Sequence, residues 1–183
     1  MAERSNASFF EAKGTGLSSR TDDWVTPQPL FDEWDRLFHF TLDVAASHQN
    51  YRVKKYFTIE EDALRQAWNN DVCWMNPPYG RGLKKWIQKA HRESLRGAIV
   101  VGLIPARTDT SYWHKWIFPC ADICFLRGRV KFLREGDIID NAPFPSAMVV
   151  WGDELHRAKQ SLGDLRQSGW LPYGVEGASD LGH

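Results

Sequence analysis

Ala98-Ile99-Val100-Val101-Gly102-Leu103-Ile104 runs for seven residues without a polar side chain. A strand with one wet face alternates apolar and polar residues, whereas a strand covered on both faces loses that alternation, as strands of parallel sheets do. The run therefore predicts a buried parallel strand. Phe40 to Val44, Val72 to Met75, Ile123 to Leu126, Val130 to Leu133 and Ser146 to Trp151 read as further strands. Helical spacing separates them. Leu30, Phe31, Trp34, Leu37 and Phe38 recur at helical intervals after Thr26, a candidate cap, and Pro27, which suits a first turn. Gly82 to Leu95 places Leu83, Trp86, Ile87 and Ala90 on one face, and Glu60 to Trp68, Ser111 to Phe118 and Glu154 to Gln167 complete the helical segments. Strands alternating with helices predict an α/β domain. Its central sheet should be mostly parallel and flanked by helices, with an antiparallel end where Ile123–Leu126 and Val130–Leu133 adjoin. Ligands of such sheets bind at the carboxyl ends of the strands.

The length, 183 residues, fits one domain. Residues 1–22 are rich in Ser, Asn, Gly and charge and read as a flexible arm, residues 23–173 as the domain, and 174–183 as a flexible tail. The formal net charge is zero, which argues against a protein that coats nucleic acid by bulk attraction but permits a local basic face. Cys73, Cys120 and Cys124 lack metal-ligand spacing, so no metal is expected, and their odd number suits a reducing compartment. With no long apolar run and no leader in the sequence, the expectation is a cytoplasmic protein without a membrane partner. Nine Trp residues exceed the usual share, and about two thirds of them are expected in the core.

Val72-Cys73-Trp74-Met75 stops at Asn76-Pro77-Pro78-Tyr79. Two successive prolines fix φ and remove two donors, so the turn is stiff and presents carbonyls. Such a turn suits an aromatic amine, whose lone pair is delocalised into its ring. Accepting both amino hydrogens, one on the Asn76 side-chain oxygen and one on the Pro77 carbonyl, turns the nitrogen tetrahedral and aims its lone pair at an electrophile. Tyr79 offers a flat face for an extruded base. Such a site works by orientation and dipole placement and needs no strong base.

In this setting Asn76-Pro77-Pro78-Tyr79 resembles the catalytic motif of amino-methyltransferases with the class I, Rossmann-like, S-adenosylmethionine-binding fold. The wider pattern is similar to the compact phage-type DNA N6-adenine methyltransferase family. It runs from Trp24-Val25-Thr26-Pro27 and Leu30-Phe31-Asp32 through Leu42-Asp43-Val44-Ala45-Ala46, Tyr56-Phe57-Thr58, Asp62-Ala63-Leu64, Trp68 and Asn76 to Gly80. It continues with Leu103 to Thr110, Arg127-Gly128-Arg129-Val130-Lys131-Phe132 and Ala142 to Ser146. The resemblance implies transfer of a methyl group from S-adenosylmethionine to adenine N6 in DNA. It implies a single-domain class I fold in which Trp24, Thr26, Pro27, Asp43, Ala45 and Asp62 contact the cofactor. In it Thr26 and Pro27 hold the methionine carboxylate at a helix N-terminus, Asp43 reads the amino group or its surroundings, and Asp62 accepts from the adenine amine. Asn76, Pro77 and Tyr79 would be catalytic, and Pro78, Arg107, Arg127 and Arg129 would contact the substrate. One departure is plain: Val44-Ala45-Ala46-Ser47 stands where the family of folds has a glycine-rich turn.

Six Lys or Arg residues (Arg81, Lys84, Lys85, Lys89, Arg92, Arg96) against Glu93 alone make a basic face after the tetrapeptide. Arg127, Arg129, Lys131 and Arg134 make a second, and the paired arginines around Gly128 suit close approach to a phosphate backbone. DNA is thus the expected partner, and no obligate protein partner is evident. Two rival readings remain: transfer to another planar nitrogen (an RNA adenine or a protein glutamine amide), and a catalytically silent DNA-binding relative. The motif order and the absence of an extra N-terminal helical domain favour DNA over the first. Asn76, Tyr79, Asp43 and Asp62 occurring together disfavour the second.

Overall fold

The computed structural model describes residues 24–133, 139–152 and 170–171. The expected arm, the expected tail and the expected helix from Glu154 to Gln167 lie outside them. The order of elements is α1 (Gln28–Phe38), β1 (Leu42–Asp43), β2 (Val72–Met75), α2 (Leu83–Ser94), β3 (Ile99–Pro105), α3 (Ser111–Trp116), β4 (Asp122–Phe125), β5 (Lys131–Leu133), β6 (Ile139–Asn141), β7 (Ser146–Trp151) and β8 (Trp170–Leu171). Six strands form one mixed sheet in the order β1-β2-β3-β7-β4-β8.

The apolar run forms β3, buried along six of its seven residues at the middle of the sheet. On one side Val72–Met75 pairs with it in parallel, register Cys73 to Val100, and Leu42 pairs in parallel with Cys73. On the other side β7 runs antiparallel to β3 and to β4, and β8 antiparallel to β4. The sheet is therefore mixed rather than mostly parallel. The antiparallel part begins in mid-sheet, because β7 returns between β3 and β4. The second of the adjoining strands also leaves the sheet: Lys131–Leu133 pairs with Ile139–Asn141 as a separate hairpin.

Packing fixes the register. At Gly102 an added Cβ would sit 2.8 Å from the Met75 methyl and 3.2 Å from the Trp151 ring, so a side chain there would make both of these shift. Five of the nine Trp residues (Trp34, Trp68, Trp74, Trp113, Trp151) are fully buried. Helix α1 lays Phe31 and Trp34 against the sheet, with Phe31 edge-on to Trp74 at 5.2 Å.

No helix forms between Glu60 and Trp68. The segment runs as successive turns, with Asp62 at φ 49°. Thr58 donates its N–H to Glu61 at 2.8 Å, and the Trp68 N–H donates to the wholly buried Glu93 at 3.0 Å. Glu93 also accepts from Lys89 at 2.9 Å and Arg96 at 3.1 Å. Burial pushes its carboxyl up, but these hydrogen bonds and charges outweigh burial and hold it below the ordinary glutamate range. Lys89 is accordingly buried, its ammonium spent on Glu93 and the Gln66 carbonyl. Lys89 drops out of the expected basic face, and Arg92 and Arg96 lean on Glu93. Arg81, Lys84 and Lys85 remain exposed.

Candidate active site

The first two parallel strands end side by side, β1 at Asp43 and β2 at Met75, and a cavity opens beyond their carboxyl ends. Trp24, Val25, Thr26, Asp43, Ala45, Asn50, Arg52, Trp74, Asn76 and Pro78 line it. Six of the residues expected in the site meet there: Trp24, Thr26, Asp43, Ala45, Asn76 and Pro78. The segment from Trp24 to Thr26 is brought in from the side. Val25 pairs with Leu133 through N–H to carbonyl bonds of 3.3 and 3.0 Å, and Phe132 packs under Trp24 at 5.3 Å. The β5–β6 hairpin thus serves as a prop for this wall, which is why it stands apart from the main sheet.

Thr26 does not cap α1. The capping position is Pro27, with no side-chain cap, and Thr26 is buried with its hydroxyl turned to Asn76. Of Pro27, Gln28 and Pro29, only Gln28 has a backbone N–H, so this helix end is a poor seat for a carboxylate.

Asn76 is held from three sides. Its Nδ2 donates to the Trp24 carbonyl at 2.5 Å and to the Thr26 hydroxyl at 3.0 Å. A carbonyl only accepts, so the atom facing Trp24 must be the amide nitrogen, and this fixes the oxygen on the opposite side. There Oδ1 accepts from the Tyr79 hydroxyl at 2.6 Å. A second lone pair on that oxygen is available to a substrate amine.

Tyr79 departs from the expected stacking platform. Its ring is 2% exposed, edge-on to Phe144 at 5.5 Å and to Phe132 at 6.0 Å. Its hydroxyl reaches both Asn76 Oδ1 and, at 3.0 Å, the Leu103 carbonyl. Burial pushes the phenol well above its ordinary value, so it stays a neutral donor. The prolines divide likewise: Pro77 is buried and Pro78 is exposed at the cavity.

The turn after β1 solves the missing glycines. Asp43, 3% exposed, accepts the Ala45 N–H at 3.2 Å and the Arg52 N–H at 3.0 Å. This side-chain-to-backbone turn keeps Ala45 and Ala46 out of the left-handed region, so no glycine is required. Burial raises the Asp43 carboxyl to about 6, while the two backbone N–H groups and the nearby Arg52 charge pull it down.

Asn50 and Arg52 were not expected in the site. The chain from Ser47 to Phe57 folds back along β1, with Lys55, Tyr56 and Phe57 beside Asp43 in a parallel bridge, and carries both to the cavity. Arg52 donates from its guanidinium to the Thr26 carbonyl and to Gln28 Oε1. A basic residue nine positions after an acidic strand end was the available signal, but nothing in the spacing tells that the loop returns.

Four further expected residues fall outside the cavity lining. Asp62 turns to Arg65 at 3.6 Å, and its carboxylate is half exposed. Arg107 is exposed beside the tetrapeptide, donating to the Tyr79 carbonyl at 3.1 Å with its guanidinium 5.9 Å from the Phe144 ring. Thr110 stands at the capping position of α3 without a side-chain cap, and its hydroxyl donates to the Arg107 carbonyl at 2.7 Å. Arg127 and Arg129 are both exposed around Gly128, whose φ of 79° suits a residue without Cβ.

Fold and site together define an open-sheet α/β protein with a ligand cavity at the ends of adjacent parallel strands, walled by a proline-stiffened, amide-bearing turn. The chain matches the family DNA N-6-adenine-methyltransferase (Dam) over residues 13–167 and belongs to it. It is a DNA methyltransferase of the phage type that acts at N6 of adenine. Among its relatives, the DNA N-6-adenine-methyltransferase of Haemophilus phage HP1 (strain HP1c1) is 26% identical over 169 residues, 87% of this chain and 98% of that protein. The DNA N-6-adenine-methyltransferase of Escherichia phage T1 is 30% identical over 117 residues, 62% of this chain and 49% of that protein.

Proposed function

We propose that the chain takes its methyl group from S-adenosylmethionine, bound in the cavity at the ends of β1 and β2, and that Asn76 orients the adenine amine. The observation that carries this reading is the three-sided tethering of the Asn76 carboxamide in the wall of that cavity. The donor set suits the cofactor: a buried carboxylate (Asp43), a guanidinium (Arg52) and two indoles (Trp24 and Trp74) in one lining match an amino acid joined to an aromatic nucleoside. When bound, S-adenosylmethionine supplies an electrophilic methyl carbon on a sulfonium.

Asn76 Oδ1, one lone pair held by Tyr79, accepts one amino hydrogen of the adenine, and the Pro77 carbonyl accepts the other. The nitrogen would turn tetrahedral, with its lone pair aimed at the methyl carbon that the bound donor would supply. The surplus amine proton leaves along the hydrogen bond to Asn76 or Pro77 toward water. No residue here has to be a strong base, because the product ammonium of an aromatic amine is acidic. Pro78 borders the target base, while Arg127 and Arg129, with Arg81, Lys84 and Lys85, take DNA phosphates.

The parallel β1-β2-β3 half followed by an antiparallel β7 between β3 and β4 supports a class I methyltransferase sheet in a single domain of residues 23–173. Incubation with radiolabelled S-adenosylmethionine and plasmid DNA, RNA and protein in parallel tests the reading. Label confined to DNA adenines is expected. Label in RNA or glutamine, or dependence on another methyl donor, would overturn it.

A further inference from the structure

We infer that Arg52 binds the carboxylate at the amino-acid end of the methyl donor, side by side with Asp43, which binds its α-ammonium. The inference rests on the S-adenosylmethionine reading above and assigns the residue that selects the donor's zwitterionic end.

Both residues line one cavity, and the chain fixes their spacing: the backbone N–H of Arg52 is itself a donor to the Asp43 carboxylate at 3.0 Å. The side chain of Arg52 lies across the start of α1, on the Thr26 carbonyl and the Gln28 amide oxygen, near enough to Asp43 for the two charges to act on each other. Both acceptors are neutral. Among the described residues no carboxylate forms an ion pair with this half-buried guanidinium. A cation withdrawn from water without a carboxylate in ion-pair contact is unfavourable: burial lowers its proton affinity, and the charges of Asp43 and Asp32 offset only part of that. An arriving carboxylate removes that penalty. A guanidinium has five N–H donors in a planar fork, and two partners leave room for a carboxylate.

Asp43 has the matching capacity. Each of its oxygens holds one backbone N–H, and an ionised carboxylate has about four lone-pair sites. An α-amino acid carries its two charges on substituents of one carbon, so a site for it needs an acid and a base within a few ångströms of each other. Asp43 and Arg52 supply them. The other anion seat in the cavity wall, the start of α1, has a proline at its capping position and another in its first turn, and the Thr26 hydroxyl already accepts from Asn76.

The test is calorimetry with three adenosine ligands: S-adenosylhomocysteine, its decarboxylated amine counterpart, and 5′-methylthioadenosine, which has neither charge. Wild type, Arg52→Met and Arg52→Lys are compared, with a melting curve for each. Arg52→Met should weaken S-adenosylhomocysteine by about 10- to 100-fold, the loss of a charge-assisted pair, and leave the other two ligands unchanged. Arg52→Lys, which keeps the charge and secures a folded variant, should lose less and only for the carboxylate-bearing ligand. Equal weakening of all three ligands, or unchanged affinity for S-adenosylhomocysteine in both variants, would overturn the assignment and leave the donor reading standing. A folded wild type that binds none of the three would overturn the donor reading itself, and this assignment with it.

Discussion

Replacing Tyr79 by Phe removes one oxygen from a buried site and leaves two acceptors facing the gap. The hydroxyl has one hydrogen shared between Asn76 Oδ1 at 2.6 Å and the Leu103 carbonyl at 3.0 Å, and its ring is 2% exposed. A neutral hydrogen bond contributes about 0.5–1.5 kcal/mol net, and a buried acceptor left without a donor raises the cost to about 1–3 kcal/mol. For a chain of this size that corresponds to a fall in Tm of roughly 2–10 °C. Chemistry should suffer as well, because Asn76 Oδ1 loses the donor that holds it, while the two bonds from Nδ2 survive. A loss of about tenfold in turnover at saturating DNA and donor matches about 1.4 kcal/mol of lost orientation. Tyr79→Ala also empties the space under Phe132 and Phe144 and should cost about 3–5 kcal/mol, as large-to-small aromatic changes do. Melting curves and methyl-transfer rates on one oligonucleotide read both effects. If Tyr79→Phe melted and turned over like wild type while Tyr79→Ala lost only DNA affinity, the ring would be a stacking surface and the buried-hydroxyl account would be wrong.

Asn76→Ala should lower transfer by about a hundredfold or more with donor affinity nearly intact, since the proposed role of the amide is on the amine in the transition state; single-turnover rates beside calorimetry decide it. Asp43 should make donor binding pH-dependent. Its carboxyl titrates near 6, so affinity for a cationic ammonium is full above that value and falls about tenfold per pH unit below it. The sign for the unliganded fold is opposite: a carboxyl raised from 3.8 favours the folded state fully below 3.8, and that contribution is lost as pH rises through about 6. A flat affinity profile from pH 5 to 8 would remove Asp43 from the ammonium site. Arg127→Ala with Arg129→Ala should weaken binding to all DNA sequences alike and reduce the salt slope by about 0.9 for each phosphate no longer neutralised. An altered choice of adenines would instead make one of them a base reader, and an unchanged slope with a lowered Tm would make the loop structural.

The parts of this fold set by local chemistry were legible in the sequence. β3 announced itself because burial on both faces leaves no polar residue in the run, and β2 because two prolines must end it. Helices α1 and α2 followed from apolar spacing. What depended on distant partners was not legible. The segment from Glu60 to Trp68 has helical spacing, but the Trp68 N–H goes to Glu93 on another element and Thr58 takes Glu61, so turns win. Lys89 looked solvated because nothing near it in sequence tells that Glu93 is buried beneath it. β6 and β8 are three and two residues long, too short for a period to appear. Asn76, Asp43 and Thr26 were readable as candidates and do line the cavity, whereas the inward turn of Tyr79 and the return of the loop bearing Arg52 were not readable.

That loop changes how the two halves of the cavity relate. Thr26 sits between them: its carbonyl is held by Arg52 and its hydroxyl by the Asn76 amide, while the neighbouring Trp24 carbonyl takes the other amide hydrogen. The segment is further clamped by Val25 on β5 and by Phe132 beneath Trp24. A ligand that engages Asp43 and Arg52 would therefore act on the same short stretch of backbone that holds the Asn76 amide. Orientation of a catalytic dipole to within a few tenths of an ångström is what such a site contributes to the rate. If the donor binds as proposed, the hydrogen bonds of Arg52 and Asn76 onto Thr26 give a physical route by which its presence would sharpen that aim.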